Sequence, residues 1–268
     1  MTFNDEVRAR IDGNGKNEVL RESAKRFLDA SFDAKYCYNF AWQGRPIIQY
    51  PQDVLAMQEL IWTTRPDLII EAGIAHGGSL VFSASLLASL DMCDAIEAGT
   101  MLDPRESCRK VLGIDIDVRT HNRAAIEAHP MASRIQMIEA SSVTPETVEQ
   151  VRSIASQYSR ILVCLDSNHT HDHVLAELEA YAPLVSTDSY CVVFDTVVED
   201  LPKEVFPDRP WGPGNNPKTA VWEYLRRLNA TSHLAADGKP LQFEIDRTIE
   251  NKVVVTVAPG GYLKRVTR

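Results

Sequence analysis

The residues of this 268-residue chain with the plainest capacity for chemistry are two aspartates, Asp166 and Asp195. Each closes a short apolar run, Ile161-Leu162-Val163-Cys164-Leu165-Asp166 and Cys191-Val192-Val193-Phe194-Asp195, where neither periodicity nor turn chemistry demands an acid. If the runs are adjacent parallel strands, their ends lie about 5 Å apart and the two carboxylates can share one hard divalent cation, for which Mg²⁺ is well suited. Three imidazoles follow Asp166: His169, His171 and His173. An imidazole titrates where a general base must work. His169, nearest the strand end, is the candidate base and His171 the alternative, while a capping or solvent-facing role serves His171 and His173 equally well. A rival reading pairs His169 with His173 at i, i+4 to bind zinc or non-haem iron with Asp166 or Asp195, which points to an oxygenase or hydrolase. Against it, the run lacks H-E-x-x-H and begins where a helix begins.

A second group of candidates lies upstream. Glu71-Ala72-Gly73-Ile74-Ala75-His76-Gly77-Gly78-Ser79 reads as a strand end turning into a helix, and glycines beside free helical N–H groups favour a carboxylate or phosphate. The spacing is G-x-x-x-G-G and not the G-x-G-x-x-G of dinucleotide enzymes, and a tight turn needs glycine for itself. Gly113-Ile114-Asp115 ends another run, and an acid there can accept both hydroxyls of a ribose. Asp117 serves equally well as a first-turn charge. After Ile135-Gln136-Met137-Ile138, the small polar Ser141 and Ser142 stand where an adenine edge would lie.

These positions require a frame. Apolar runs at 67–71, 111–115, 135–138, 160–166 and 190–195 alternate with helical segments near 79–90, 119–129, 145–157 and 171–182, the third opened by Thr144-Pro145. Such alternation predicts an α/β domain, a doubly wound, mostly parallel sheet with helices on both faces. Ligands then bind outside the carboxyl ends of the strands. Runs at 241–245 and 253–257 are separated too briefly for a crossover helix and are expected to pair antiparallel. The proline- and glycine-rich stretch from Leu201 to Lys218 reads as a loop able to close over a substrate, with Trp211 stacking on a sugar and Lys218 meeting a phosphate. Residues 1–50 read as an N-terminal helical and aromatic appendage to a main domain at 51–268, with a helical stripe at Leu20, Ala24, Phe27 and Leu28 and an aromatic strip at 36–42.

With 28 basic against 37 acidic side chains the formal charge is −9, which argues against nucleic acid or an anionic membrane as partner. Five scattered cysteines without a C-x-x-C pair suit a reduced, cytoplasmic protein. No apolar run reaches the length expected of a membrane span. The aromatic strip, if exposed, points to a homo-oligomer.

The whole pattern resembles the class I S-adenosylmethionine-dependent methyltransferases, whose seven-stranded sheet ends in an antiparallel pair. More narrowly, Pro66-Asp67-Leu68-Ile69-Ile70-Glu71-Ala72-Gly73, His76-Gly77-Gly78-Ser79, Leu165-Asp166-Ser167-Asn168-His169, Tyr181-Ala182-Pro183-Leu184-Val185 and Val193-Phe194-Asp195-Thr196 resemble the cephalosporin hydroxylase/rhamnosyl O-methyltransferase family over about residues 40–265. The resemblance implies a Mg²⁺-assisted O-methyltransferase acting on a sugar hydroxyl of a nucleotide-sugar, glycan or polysaccharide precursor, or alternatively methoxylating a cephalosporin-like small molecule. It implies that Gly73, Gly77, Gly78 and Ser79 hold the methionine end of S-adenosylmethionine, that Glu71 braces their loop, that Asp115 binds the ribose and that Ser142 lies near the adenine. Asp166 and Asp195 would be metal ligands. Phe194 stands where some relatives carry an acid, so Thr196 or water would complete the metal shell.

Overall fold

The computed structural model describes residues 2–267; the two end positions of the expected domains, 1 and 268, lie outside them. In chain order the elements are α1 (Phe3–Lys16), α2 (Glu18–Asp33), β1 (Phe40–Trp42), β2 (Arg45–Ile47), α3 (Pro51–Thr64), β3 (Leu68–Ala72), α4 (Gly78–Ala98), β4 (Lys110–Asp115), α5 (Thr120–Glu127) and β5 (Ile135–Glu139). There follow α6 (Pro145–Ala155), β6 (Ile161–Leu165), α7 (His171–Tyr181), β7 (Tyr190–Val193), α8 (Pro217–Ala230), β8 (Phe243–Ile245), α9 (Arg247–Val253) and β9 (Tyr262–Arg265). Proline stands at the first turn of α3, α6 and α8, where its missing N–H costs no hydrogen bond.

Seven strands form one sheet in the order β5-β4-β3-β6-β7-β9-β8. β3 to β7 run parallel, and β9 is antiparallel to both β7 and β8. The side chains of each strand alternate between faces. Ile69, Val111 and Leu162 pack with α3, α4 and α5, while the next residues along, Ile70, Leu112 and Val163, pack with α6, α7 and α8. Both faces are therefore covered, as a parallel sheet requires. The chain steps outward from β3 to β5 and returns to β6, so the crevice at the carboxyl ends of β3 and β6 is the switch point where a ligand site is expected.

Three expectations are corrected. The β-branched run at 253–257 is not a strand: Asp246 caps α9 by accepting a hydrogen bond from Thr248 N–H, Val254 N–H donates to the Glu250 carbonyl, and Val257 N–H donates to Asp53. Its backbone groups are thus taken by the α9 turn and by Asp53 and Val197 from distant segments, and the antiparallel partner is Tyr262–Arg265. Second, α4 is long and apolar enough by length and composition to cross a membrane. Its first half, including Leu80, Val81, Ala84 and Leu87, is buried against the sheet. Third, the aromatic strip is only partly exposed, Tyr38 standing open while Tyr36, Phe40 and Trp42 are half-buried. Tyr36 packs on Phe27, Phe40 and Tyr50, and Trp42 packs edge-on to Phe82 and donates to Ser85 Oγ at 3.0 Å. The N-terminal segment folds onto the rest of the chain through Phe32, which meets both Tyr50 and Phe206.

Candidate active site

β6 and β7 end side by side, Phe194 N–H donating to the Leu165 carbonyl at 3.0 Å, so the residues that follow project together from the sheet. Asp195 has a φ of 54°, a left-handed backbone that a non-glycine residue adopts at a cost of about 1–3 kcal/mol and that is held here by its surroundings. The result is convergence: potential ligand atoms of Asp166, His169 and Asp195 all lie within 4.8 Å of one another. His169 Nε2 is 3.2 Å from Asp195 Oδ2, and Gln49 Nε2 donates to Asp166 Oδ2 at 3.2 Å. The Asp166 carboxyl is held well above the usual carboxylate range, first by burial and then by the charges of Asp195 and Glu71. Crowded acids of this kind are relieved by a proton or by a metal ion.

The other expected members are placed elsewhere. Thr196 is fully buried and its hydroxyl donates to the Pro259 carbonyl at 3.0 Å, because the left-handed turn at Asp195 directs it into the fold. It is not brought to the cluster, whose third position is His169. His171, first residue of α7, sets Nδ1 2.8 Å from Thr219 Oγ1, while its N–H donates to Asn215 at 2.9 Å, so it ties α7 to the start of α8. His173 does reach the cleft, but with Nε2 3.1 Å from Ser142 Oγ and 3.3 Å from Glu177 Oε1. Since His169 precedes α7, the i, i+4 metal pair with His173 has no helical turn to form on.

The glycine turn is shaped by the protein's own packing. Gly73 has a φ of 100°, and a Cβ there would sit 2.1 Å from the Asp166 carbonyl oxygen; only glycine lets this turn press against the end of β6. A Cβ on Gly78 would sit 2.1 Å from the Pro46 carbonyl, and Gly77 packs on Ile126. Of the expected cradle residues, Gly73 lines the cleft directly, while Gly77, Gly78 and Ser79 stand behind it. Ser79 donates its hydroxyl to Glu71, whose carboxyl is pushed up to about 7 by burial, the Ser79 bond opposing the rise. Asp115 Oδ2 accepts from Ile74 N–H at 2.8 Å and Ala75 N–H at 3.2 Å, so it fixes the turn while lining the cleft. Beside it Ile116 leaves 74% of its surface exposed, an apolar platform at the same wall. Ser142 donates to Glu177 and its carbonyl accepts from Tyr181 Oη.

Gly73, Asp115, Ser142, Asp166, His169 and Asp195 line one cleft of about 1150 Å³. It runs from Asp115, Ile116 and Ser142 past Asp166 and Asp195 to a wall built by Tyr38, Phe206 and Trp211. The Trp211 ring lies 5.2 Å from the His169 ring and 4.6 Å from Phe206. Its loop is pinned by Glu199, which accepts from Gly214 N–H at 2.7 Å and from the Asn216 side chain. Lys218 instead pairs with Asp200 and does not line the cleft. Gln49 and the Glu177 carboxylate escaped the sequence reading because no motif marks them, whereas Tyr38 and Phe206 belong to the aromatic strip and the proline-rich loop without being singled out there.

Sheet order, switch-point cleft and strand-end acids define a class I methyltransferase fold. Two solved structures share that fold: an apo structure of CmcI, with a TM-score of 0.52 at 18% identity over 86% of this chain and 78% of that one, and CmcI with Mg and SAM, at 0.51 and 16% over the same shares. The family description "Rhamnosyl O-methyltransferase/CmcI" matches residues 34–266, and the chain belongs to that family. Among curated relatives, the rhamnosyl O-methyltransferase of Mycobacterium bovis is 30% identical over 217 residues, covering 80% of this chain and 73% of its own length. That of Mycobacterium leprae is 29% identical over 225 residues, covering 84% and 82%. By family, the chain is an O-methyltransferase enzyme.

Proposed function

We propose that this protein transfers a methyl group from S-adenosylmethionine to a hydroxyl of a sugar, with Mg²⁺ held by Asp166 and Asp195. The observation that carries the reading is one cleft with two ends: a turn and ribose-binding acid at Gly73 and Asp115, and the Asp166–His169–Asp195 convergence beyond them. It is supported by the names of the curated relatives and by the CmcI structure described with Mg and SAM. The residues fit both groups. Two crowded carboxylates offer hard oxygen donors, and Asp115 beside the exposed Ile116 suits a ribose with an adenine laid over an apolar side chain.

A sugar hydroxyl is a weak nucleophile at neutral pH, and a bound Mg²⁺ makes its proton more acidic. His169 receives that proton. With Nε2 hydrogen-bonded to Asp195, the acceptor is Nδ1, and Asp195 orients the ring. Gly73 and Asp115 set the donor's position relative to the acceptor oxygen, which is where the entropic advantage of the reaction lies. Phe206 and Trp211 exclude water and offer ring faces to a pyranose. Five free thiols suit the cytoplasm as the compartment.

Calorimetric titration with S-adenosylmethionine and with NAD, each with and without Mg²⁺, tests the reading. Binding of the sulfonium cofactor followed by Mg²⁺-dependent methylation of a sugar is expected; preference for NAD, or iron retained in the purified protein, rejects it.

A further inference from the structure

The far wall of the cleft carries charge of the opposite sign to the metal end. Lys35 and Arg209 both line it, against one acid there, Asp33, and neither has a carboxylate partner among the described residues. Both are exposed at the mouth. In a chain of net charge −9, the main cleft thus holds two cations without a carboxylate partner, while arginines such as Arg65, Arg109, Arg123 and Arg134 are answered by nearby acids.

The Arg209 side chain is anchored, and so is the backbone that carries Lys35. Arg209 lies over the Trp211 ring, its guanidinium carbon 5.8 Å from the centroid, and Trp211 is itself 5.2 Å from His169. One aromatic ring thus separates the base from the cation. Lys35 is fixed by a left-handed backbone, φ 48°, and by Tyr38 N–H donating to its carbonyl at 3.0 Å, which also sets Tyr38 at the mouth. A pyranose stacked on Trp211 with one hydroxyl at the metal end would present its opposite side to these cations. An arginine and a lysine lining the same cleft suit a phosphate, whose oxygens accept charge-assisted hydrogen bonds.

We infer that the acceptor is a glycosyl phosphate, a sugar bearing a phosphate or diphosphate ester at the end away from the methylated hydroxyl, and not a neutral glycan. This rests on the methyl-transfer reading above and narrows its substrate class. Lys218, the cation expected for this task from sequence, is already paired with Asp200, and Arg209 and Lys35 stand in the place it does not reach.

The test uses the full chain loaded with S-adenosylhomocysteine and Mg²⁺, titrated with rhamnose 1-phosphate and with methyl rhamnoside, rhamnose being the sugar in the relatives' name. The phosphorylated sugar is expected to bind about tenfold or more tightly than the neutral one, with added salt narrowing the gap. Arg209→Gln and Lys35→Gln, exposed sites where the fold tolerates the change, are each expected to remove several-fold of that preference. Equal affinity for the two sugars, binding of neither, or a preference that survives both substitutions and so comes from the metal overturns the inference. The S-adenosylhomocysteine titration that precedes it separates the two claims. Cofactor binding without phosphate preference leaves methyl transfer standing and removes the glycosyl phosphate; absence of cofactor binding removes both.

Discussion

Asp195 Oδ2 lies 3.2 Å from His169 Nε2, joining the turn after β7 to the loop between β6 and α7. The contact gives the imidazole a fixed tautomer and places both groups beside Asp166. It also makes each of the three sensitive to the others, and the predictions that follow from it differ by residue.

Asp166→Asn and Asp195→Asn remove one charge each while keeping shape. Methyl transfer is expected to fall by about 10²–10³-fold in either variant, with unfolding temperature unchanged or raised because crowded acids have been thinned. Chelating Mg²⁺ from the unmodified protein should produce a similar loss, and chelation should cost the variants little more. A steady-state assay with and without chelator, beside a thermal melt, checks this.

His169→Gln is expected to lower kcat by about 10²–10⁴-fold while leaving the dissociation constant for S-adenosylmethionine within about twofold. His171→Gln, by contrast, should lower the melting temperature through its lost tie to Thr219 more than it lowers kcat. If His171→Gln alone abolishes turnover, the base is misassigned.

Glu71 sets a pH dependence of stability. Its folded carboxyl is raised from 4.5 to about 7 by burial, so between those values the native state binds the proton that the unfolded chain has released. Stability from this group is therefore greatest below pH 4.5, declines through the window to pH 7 and is flat above it. Glu71→Gln, which can still accept the Ser79 hydrogen bond, is expected to flatten that decline and to raise stability at pH 8 by roughly 1–3 kcal/mol. Denaturant titrations at pH 5 and pH 8, measured on both proteins, decide it.

Asp53 is fully buried and accepts from Thr256 Oγ1, Tyr262 Oη and Val257 N–H, binding α3 to β9 and the segment before it. Asp53→Ala strands three donors, and a loss of about 3–5 kcal/mol is expected, read as a lower denaturant midpoint. Gly73→Ala should cost both stability and activity, since its Cβ would displace the Asp166 carbonyl and its φ of 100° disfavours any side chain. Gly13→Ala, in α1 with open space around it, should instead stabilise by about 0.5–1 kcal/mol.

Much of this protein was legible from order along the chain. Five apolar runs broken by helical segments dictate a parallel sheet because buried strands must be apolar on both faces, and the same runs place Asp115, Asp166 and Asp195 at strand ends. The helix start at Pro145 follows from proline at the first helical position, a signal that needs no distant neighbour. What local pattern could not reveal is where backbone groups are consumed by remote side chains. Asp53 draws Val257 out of strand pairing, leaving β9 to Tyr262–Arg265.

The choice among three histidines was likewise tertiary. Spacing treats His169, His171 and His173 alike, but α8 claims the second, Ser142 and Glu177 the third, and only the first is left facing Asp195. The left-handed backbone at Asp195 turned Thr196 inward and so settled which group stands third at the acidic pair. Chain order specifies which residues reach the end of the sheet. Which of them meet depends on packing between segments far apart in sequence, and that is a property of the folded chain alone.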